Sequence, residues 1–301
     1  MRMPGIKAKH AINQSCLYKI GSMAKLAEIL QFDIKAFDAI IADGNYNVFQ
    51  NTQKRWIQTP LNELRSIHDR MQTYLAKIYI PEYVHSQKGK SYITNATQHS
   101  ARLPFLKTDI SKFYPSTSFS AIFNLFHRIF ECPKDVAWRL AALCCYQGKS
   151  LPTGSPISGS IAFFAHQPMF DEIAVLSKSR GCEFTLFVDD LGISGFGATK
   201  SLLYQIRGII RSNGLETADK KSKTFGLGRP KRITGVLMTV NGPKVPNKRR
   251  LKIHQLKKEI QGLPANKKRE KLERSLRGSE QEASEIDKAN LLFTYRQLDD
   301  D

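Results

Sequence analysis

The chain has 301 residues, 41% of them hydrophobic, enough to bury a sizeable core in one large domain or two closely packed subdomains, which argues against disorder. Its 46 Lys and Arg against 27 Asp and Glu give a formal charge of +19 and a pI near 9.7, so a polyanionic partner is expected, nucleic acid ahead of an anionic membrane. No apolar stretch approaches the roughly 18 residues that span a bilayer and no secretory segment is visible, so a cytoplasmic protein is expected. Its five cysteines, without CxxC or Cys/His spacing, read as reduced packing residues.

In chain order, Ser22 can cap a helix through Leu26, Ile29 and Leu30, and a second helical stretch runs from Ile34 to Ile41 and stops near Gly44. Thr59-Pro60 reads as a cap followed by Pro at the first helical position, opening a helix with an apolar face of Leu61, Leu64, Ile67, Met71, Leu75 and Ile78. The run Leu103 to Leu106 brings Asp109 to a strand end. Helical stretches follow from Ser118 through Phe123, Phe126 and Phe130, and again after Pro133. Phe184 to Ser194 reads as a hairpin with Asp189-Asp190 at its tip, and Thr199 to Asn213 as a helix stopped by Gly214. Between Lys244 and Arg277 Lys and Arg dominate, with apolar residues at helical intervals, the pattern of a separate basic helical subdomain.

Joining nucleotides is an in-line attack at phosphorus, and two magnesium ions can stabilise the attacking and leaving oxygens. Magnesium takes hard oxygen ligands, commonly one or two carboxylates plus water and phosphate. Asp109 on one strand facing Asp189 and Asp190 on a hairpin meets that need, with Asp189 the expected ligand shared by both ions. An isolated Asp pair more often makes only a polar turn, so the neighbouring residues carry the decision.

Those neighbours resemble the reverse transcriptase family. Asp109 opens a D-x-x-x-F-[FY]-P-S pattern, Phe187-Val188-Asp189-Asp190 stands where the family has Tyr-x-Asp-Asp, and Leu151-Pro152-Thr153-Gly154-Ser155-Pro156-Ile157-Ser158 is similar to L-P-x-G-[AS]-P-x-S. The resemblance implies an α+β right-hand polymerase: fingers and palm over 1–240, an antiparallel sheet packed on helices, and a small helical basic thumb over 241–301. It implies RNA-directed DNA synthesis from deoxynucleoside triphosphates, two Mg2+ ions held by Asp109, Asp189 and Asp190 with Ile110 in the same set, and Tyr114 blocking the sugar 2′-hydroxyl. Thr153 and Gly154 are expected at the nucleotide, Gly154 because its backbone can approach a ligand closely; Ser158, Gly159, Ser160 and Ala162 leave room for a base pair or let helices pack closely. Gln53 to Ile57 resembles the basic strand that reaches the triphosphate, through Arg55 in preference to Lys54. Lys223 could protonate pyrophosphate or simply contact phosphate, and Lys221 competes with it for either role.

Two further segments are similar to retron reverse transcriptases: Asn95-Ala96-Thr97-Gln98-His99 matches N-A-x-x-H, and Ile233-Thr234-Gly235 stands for V-T-G. A retron enzyme implies a structured noncoding RNA serving as template and primer, an RNA-linked DNA branching from a 2′-hydroxyl, antiphage defence and an effector protein. Asn95, His99, Thr234, Gly235, Lys248, Arg249 and Arg250 are then expected to face RNA. Two alternatives stay open: another bacterial enzyme of the family, such as a group II intron protein, which usually continues into maturase and endonuclease segments, or an RNA-binding protein on an inactive polymerase fold. The oligomeric state stays open too.

Overall fold

The computed structural model describes residues 9–298, without the side chains from 294 onward; the outer ends of both expected domains therefore lie outside the described residues. In chain order the regular elements are α1 (Met23–Leu30), α2 (Phe37–Ile40), β1 (Tyr46–Gln50), β2 (Trp56–Pro60), α3 (Asn62–Leu75), α4 (Tyr92–Thr97) and β3 (Phe105–Asp109). They continue with α5 (Phe113–Ser116), α6 (Phe119–Asn124), α7 (Lys134–Cys144), α8 (Ser158–Ser179), β4 (Glu183–Phe187), β5 (Asp190–Ser194) and α9 (Lys200–Ser212). Last come β6 (Lys223–Phe225), β7 (Lys231–Ile233), β8 (Val236–Thr239), β9 (Gly242–Lys244), α10 (Asn247–Gln261) and α11 (Lys267–Leu298). This is an α+β chain with antiparallel sheets, as expected. No described helix is long and apolar enough to cross a membrane, and the five cysteines are free.

Contacts divide the chain into two compact units. One comprises the residues up to Pro81, Ile110–Glu172 and Ile209–Glu216; the other comprises Glu82–Asp109, Ile173–Gly208 and the chain from Thr217.

In the first unit α1 begins where expected, the Ser22 hydroxyl accepting from the Lys25 amide at 3.2 Å. Thr59-Pro60 does not cap α3. Pro60 is the last residue of β2, paired with Tyr46, and α3 starts after Leu61 without a side-chain cap. The apolar face of α3 runs through Leu64, Ile67, Met71 and Leu75, buried at the three- and four-residue spacing that puts side chains on one stripe, while Leu61 precedes the helix and is exposed and Ile78 lies beyond its end. His68 lies on that stripe, donating from Nε2 to the Leu143 carbonyl (2.7 Å) while Nδ1 meets the Ser155 hydroxyl (2.8 Å). Burial holds its pKa down at about 4, and that of His166 at about 4 as well.

These histidines fix a pH dependence. In the folded state they stay neutral well below 6.5, whereas the unfolded chain takes up their protons near 6.5. Their contribution is thus complete above pH 6.5 and is lost as pH falls toward 4, by about 1.4 kcal/mol per unit for each. Urea midpoints between pH 7 and 4.5 are expected to fall steeply; a flat profile would show that the imidazoles are not buried as neutral bases.

In the second unit the sheet order is β4-β5-β3-β6, antiparallel throughout. β7, β8 and β9 form a second small sheet, and a core cluster of Ile93 and Ala96 from α4, Phe105 from β3, Ile233, Val236, Met238, Val245 and Ile286 ties α4, this sheet and α11 to β3. Thr234-Gly235 is the two-residue loop between β7 and β8, with φ of 42° and 95°. Both values lie in the left-handed region that a type I′ hairpin loop demands, so the glycine is required by the turn. α10 and α11 follow, joined by Arg249–Glu282 (3.2 Å) and Lys257–Glu280 (2.8 Å).

Candidate active site

Two acids separated by 81 positions meet through strand register. Asp109 ends β3 and Asp190 begins β5, and the two are direct partners in the ladder, so their side chains project from the same face of the sheet. Phe187 pairs with Asp190 across the hairpin, leaving Val188-Asp189 as the two-residue loop. Val188 has φ of 61°, a conformation that a β-branched residue adopts only when its surroundings impose it. The neighbouring segment does so: the Val188 amide donates to the Ser86 hydroxyl (3.2 Å), the His85 amide to the Leu186 carbonyl (2.8 Å) and the Leu186 amide to the Tyr83 carbonyl (2.8 Å). The expectation that Asp189 is the shared ligand meets a different geometry, in which Asp190 opposes Asp109 and Asp189 sits at the tip.

A cavity of about 180 Å³ opens beside the acids, lined by Lys107, Thr108, Asp109, Asp190, Lys220, Lys221 and Lys223. Lys221 donates to Asp109 Oδ2 at 2.6 Å, and that bond holds its ammonium pKa above the usual lysine value. Burial, then the charges of Asp189 and Asp109, push the Asp190 carboxyl up to about 6. Such crowding of carboxylates is relieved by a cation, and the ammonium on Asp109 already acts as one. Among the described residues no group of three or more His, Cys, Asp or Glu side chains forms a ready metal cage. Two opposed carboxylates with a third on the same turn still fit a magnesium ion that draws its remaining ligands from water and phosphate. The Ile110 side chain is hydrocarbon and has no ligand atom, which leaves only its backbone carbonyl for such a role.

Lys107 and Lys220 were not anticipated. Lys107 could have been found by period-two reading, since it shares a face of β3 with Asp109, and register then brings Lys223 opposite it. Lys231, also unforeseen, is buried, donating to the Leu103 and Ser100 carbonyls with its ammonium 5.6 Å from the Phe105 ring centre; burial lowers its pKa to about 8.

The remaining nucleotide-site candidates lie in the first unit. Lys54 and Arg55 are exposed in the loop of the β1–β2 hairpin and not on a strand; the Asn51 side chain organises this loop by accepting from the Gln53 and Arg55 amides (2.9 and 3.0 Å). Thr153 and Gly154 are pinned to β2, their amides donating to Gln58 Oε1 (3.0 Å) and to the Gln58 carbonyl (3.1 Å). Gly154 is needed for this approach to protein: a Cβ there would stand 2.7 Å from Thr59 Oγ1 and 2.8 Å from the Gln58 carbonyl oxygen. Gly154→Ala is expected to cost about 1–3 kcal/mol, and an unchanged melting temperature would contradict that packing. The small residues of α8 serve close packing too, Ser158 donating to the Pro152 carbonyl (2.6 Å) and Ser160 to Gln72 of α3 (3.0 Å). Tyr114, in α5, is half-buried, its hydroxyl 3.4 Å from where a Cβ on Gly159 would lie.

The two retron-like segments touch each other. Asn95 Nδ2 donates to Thr234 Oγ1 (3.3 Å), and the Thr234 hydroxyl donates to the Tyr92 carbonyl (2.8 Å). His99 is fully buried, one ring nitrogen on Ser194 of β5 and the other on Thr185 of β4, each at 2.8 Å, and burial lowers its pKa to about 3. It lies directly on Gly192, where a Cβ would come within 2.9 Å of Nε2. Asn95 and His99 therefore do not face RNA: both are core residues that fasten α4 to the hairpin bearing the acids and to the 234–235 turn. Arg249 is committed to Glu282, whereas Lys248 and Arg250 are exposed.

Comparison with known proteins agrees with this geometry. Residues 28–238 match the family model described as reverse transcriptase (RNA-dependent DNA polymerase). The chain is 27% identical over 208 residues to the retron Ec86 reverse transcriptase of Escherichia coli, covering 66% of this chain and 64% of that protein. It is 27% identical over 188 residues to the retron Se72 reverse transcriptase of Salmonella heidelberg, covering 58% and 48%. The matches thus span between about half and two thirds of these relatives' lengths. A solved structure of telomerase from Candida albicans with a fragment of telomeric RNA aligns with a TM-score of 0.47 at 11% identity, over 72% of this chain and 50% of that one, a likeness too slight to build on. With the family model covering most of the chain, and Asp109 opposed to Asp190 beside the hairpin loop, the protein belongs to the reverse transcriptase family and resembles its retron members.

Proposed function

We propose that the protein is an RNA-directed DNA polymerase of retron type, working in the bacterial cytoplasm. The observation that carries this reading is the ladder pairing of Asp109 with Asp190 beside a lysine-lined cavity. Asp109, Asp189 and Asp190, with the Ile110 carbonyl, would hold two Mg2+ ions, which when bound supply Lewis-acid stabilisation of the attacking and leaving oxygens. Lys107, Lys220, Lys221 and Lys223 set positive charge where the triphosphate of a deoxynucleotide and the departing pyrophosphate need it, with Lys221 the lysine joined directly to Asp109. Tyr114 acts as the gate against the ribose 2′-hydroxyl. Tyr114→Ala is then expected to relax sugar discrimination by roughly a hundredfold, the scale on which a site rejects an added hydroxyl; unchanged discrimination in single-nucleotide incorporation would remove the gate.

The basic region after Lys244 is the thumb, gripping a structured noncoding RNA through phosphates from the exposed Lys248, Arg250, Lys252 and Lys258 of α10. That RNA serves as template and primer, the product is DNA joined to RNA through a 2′-hydroxyl, and the pair works with an effector protein in antiphage defence. Sequencing the nucleic acid that copurifies with the protein tests this reading. One defined short RNA carrying branched DNA is the expected result; heterogeneous cellular RNA without a branch would overturn the retron assignment.

A further inference from the structure

Asn95, in α4, lines a small cavity together with Asp190 and Lys107, and only half of its amide is satisfied. Nδ2 reaches Thr234, but Oδ1 is buried and has no hydrogen-bond partner in a residue only 1% exposed. A lone buried acceptor is costly to leave unpaired. Beside it is a second cavity of about 30 Å³, room for a water molecule, lined by Asn95, Thr234, Lys107, Asp190 and Gly192 among others. The polar groups around it are complementary: Oδ1 accepts, the Asp190 carboxylate accepts, and the Lys107 ammonium donates. A water here can donate to both oxygens while accepting from the lysine, within the two to four partners that a buried water needs.

We infer that Asn95 is a positioning residue for Asp190, acting through one buried water in the cavity shared by α4, the start of β5 and the 234–235 turn. The N-A-x-x-H helix then orients the metal-facing acid at two points. His99 fixes the strands behind it through Thr185 and Ser194, and Asn95 fixes the carboxylate itself. Partners of this outer kind orient ligands and tune their affinity for a metal.

The inference rests on the metal-holding role proposed for Asp190, and calorimetry with Mn2+ on the full chain separates the two. The parent is expected to bind Mn2+, and Asn95→Leu to weaken that binding about tenfold, with melting temperature and RNA affinity close to the parent's. In the Asp190→Asn background the same Asn95 substitution is expected to leave the remaining Mn2+ affinity unchanged, because the group it acts through is gone. No Mn2+ binding by the parent would sink the metal role. Mn2+ binding that Asn95→Leu leaves intact, or weakens equally in both backgrounds, would sink the positioning role alone. If Asn95→Leu does not fold, Asn95→Ser carries the same comparison, and a loss of Mn2+ affinity that depends on Asp190 is again the expected result.

Discussion

Asp109→Asn is expected to slow magnesium-dependent DNA synthesis on a primed RNA template by roughly a thousandfold or more, with RNA affinity nearly unchanged. The carboxylate supplies anionic oxygen at a hard-ion site, and losing several kcal/mol of transition-state stabilisation at 1.36 kcal/mol per decade gives at least three decades. Asp190→Asn is expected to be comparably severe, because the two acids oppose each other in the ladder and neither can replace the other. Lys221 would lose its partner in Asp109→Asn, but it is more than half exposed, so water takes over and stability should hold. Incorporation rates and filter binding on both variants check the split; a rate within tenfold of the parent would remove Asp109 from the chemistry.

His99→Ala is expected to be the most damaging single change to stability, about 3–5 kcal/mol from the cavity left behind and the two buried hydroxyls orphaned with it. The ring touches the Phe105 edge at a centroid distance of 4.9 Å and bonds both strands of the acid-bearing hairpin. Urea unfolding followed by far-ultraviolet dichroism measures the loss, and a change below about 1 kcal/mol would contradict a core role. His99→Gln, which can still offer a donor and an acceptor, should recover part of it.

Much of this architecture is legible in the sequence where one local pattern settles one element. Ser22 announces α1, two β-type runs flanking Asp189-Asp190 announce β4 and β5, and Gly214, with φ of 74°, stops α9. Thr59-Pro60 misleads because a proline is equally at home at a strand end, and only pairing with β1 decides between the two. Family motifs single out residues without showing what those residues touch. Gly154 lies tight against β2, and Asn95 and His99 turn inward because hydroxyls on Thr234, Ser194 and Thr185, as far as 139 positions away, meet them there. Those partners are long-range, and no local spacing exposes them. The ladder partnership of Asp109 with Asp190 is of the same kind, since a hairpin pattern places both acids at a turn but leaves open which one faces β3.

The central claim, that Asp109 and Asp190 hold divalent ions for copying RNA into DNA, is tested most directly by single-turnover incorporation of one deoxynucleotide opposite an RNA template across a magnesium titration. The rate is expected to climb and saturate with Mg2+, to vanish in chelator, and to be lost in Asp109→Asn and Asp190→Asn. Incorporation that persists in chelator, or that either variant sustains at the parent's rate, would contradict it.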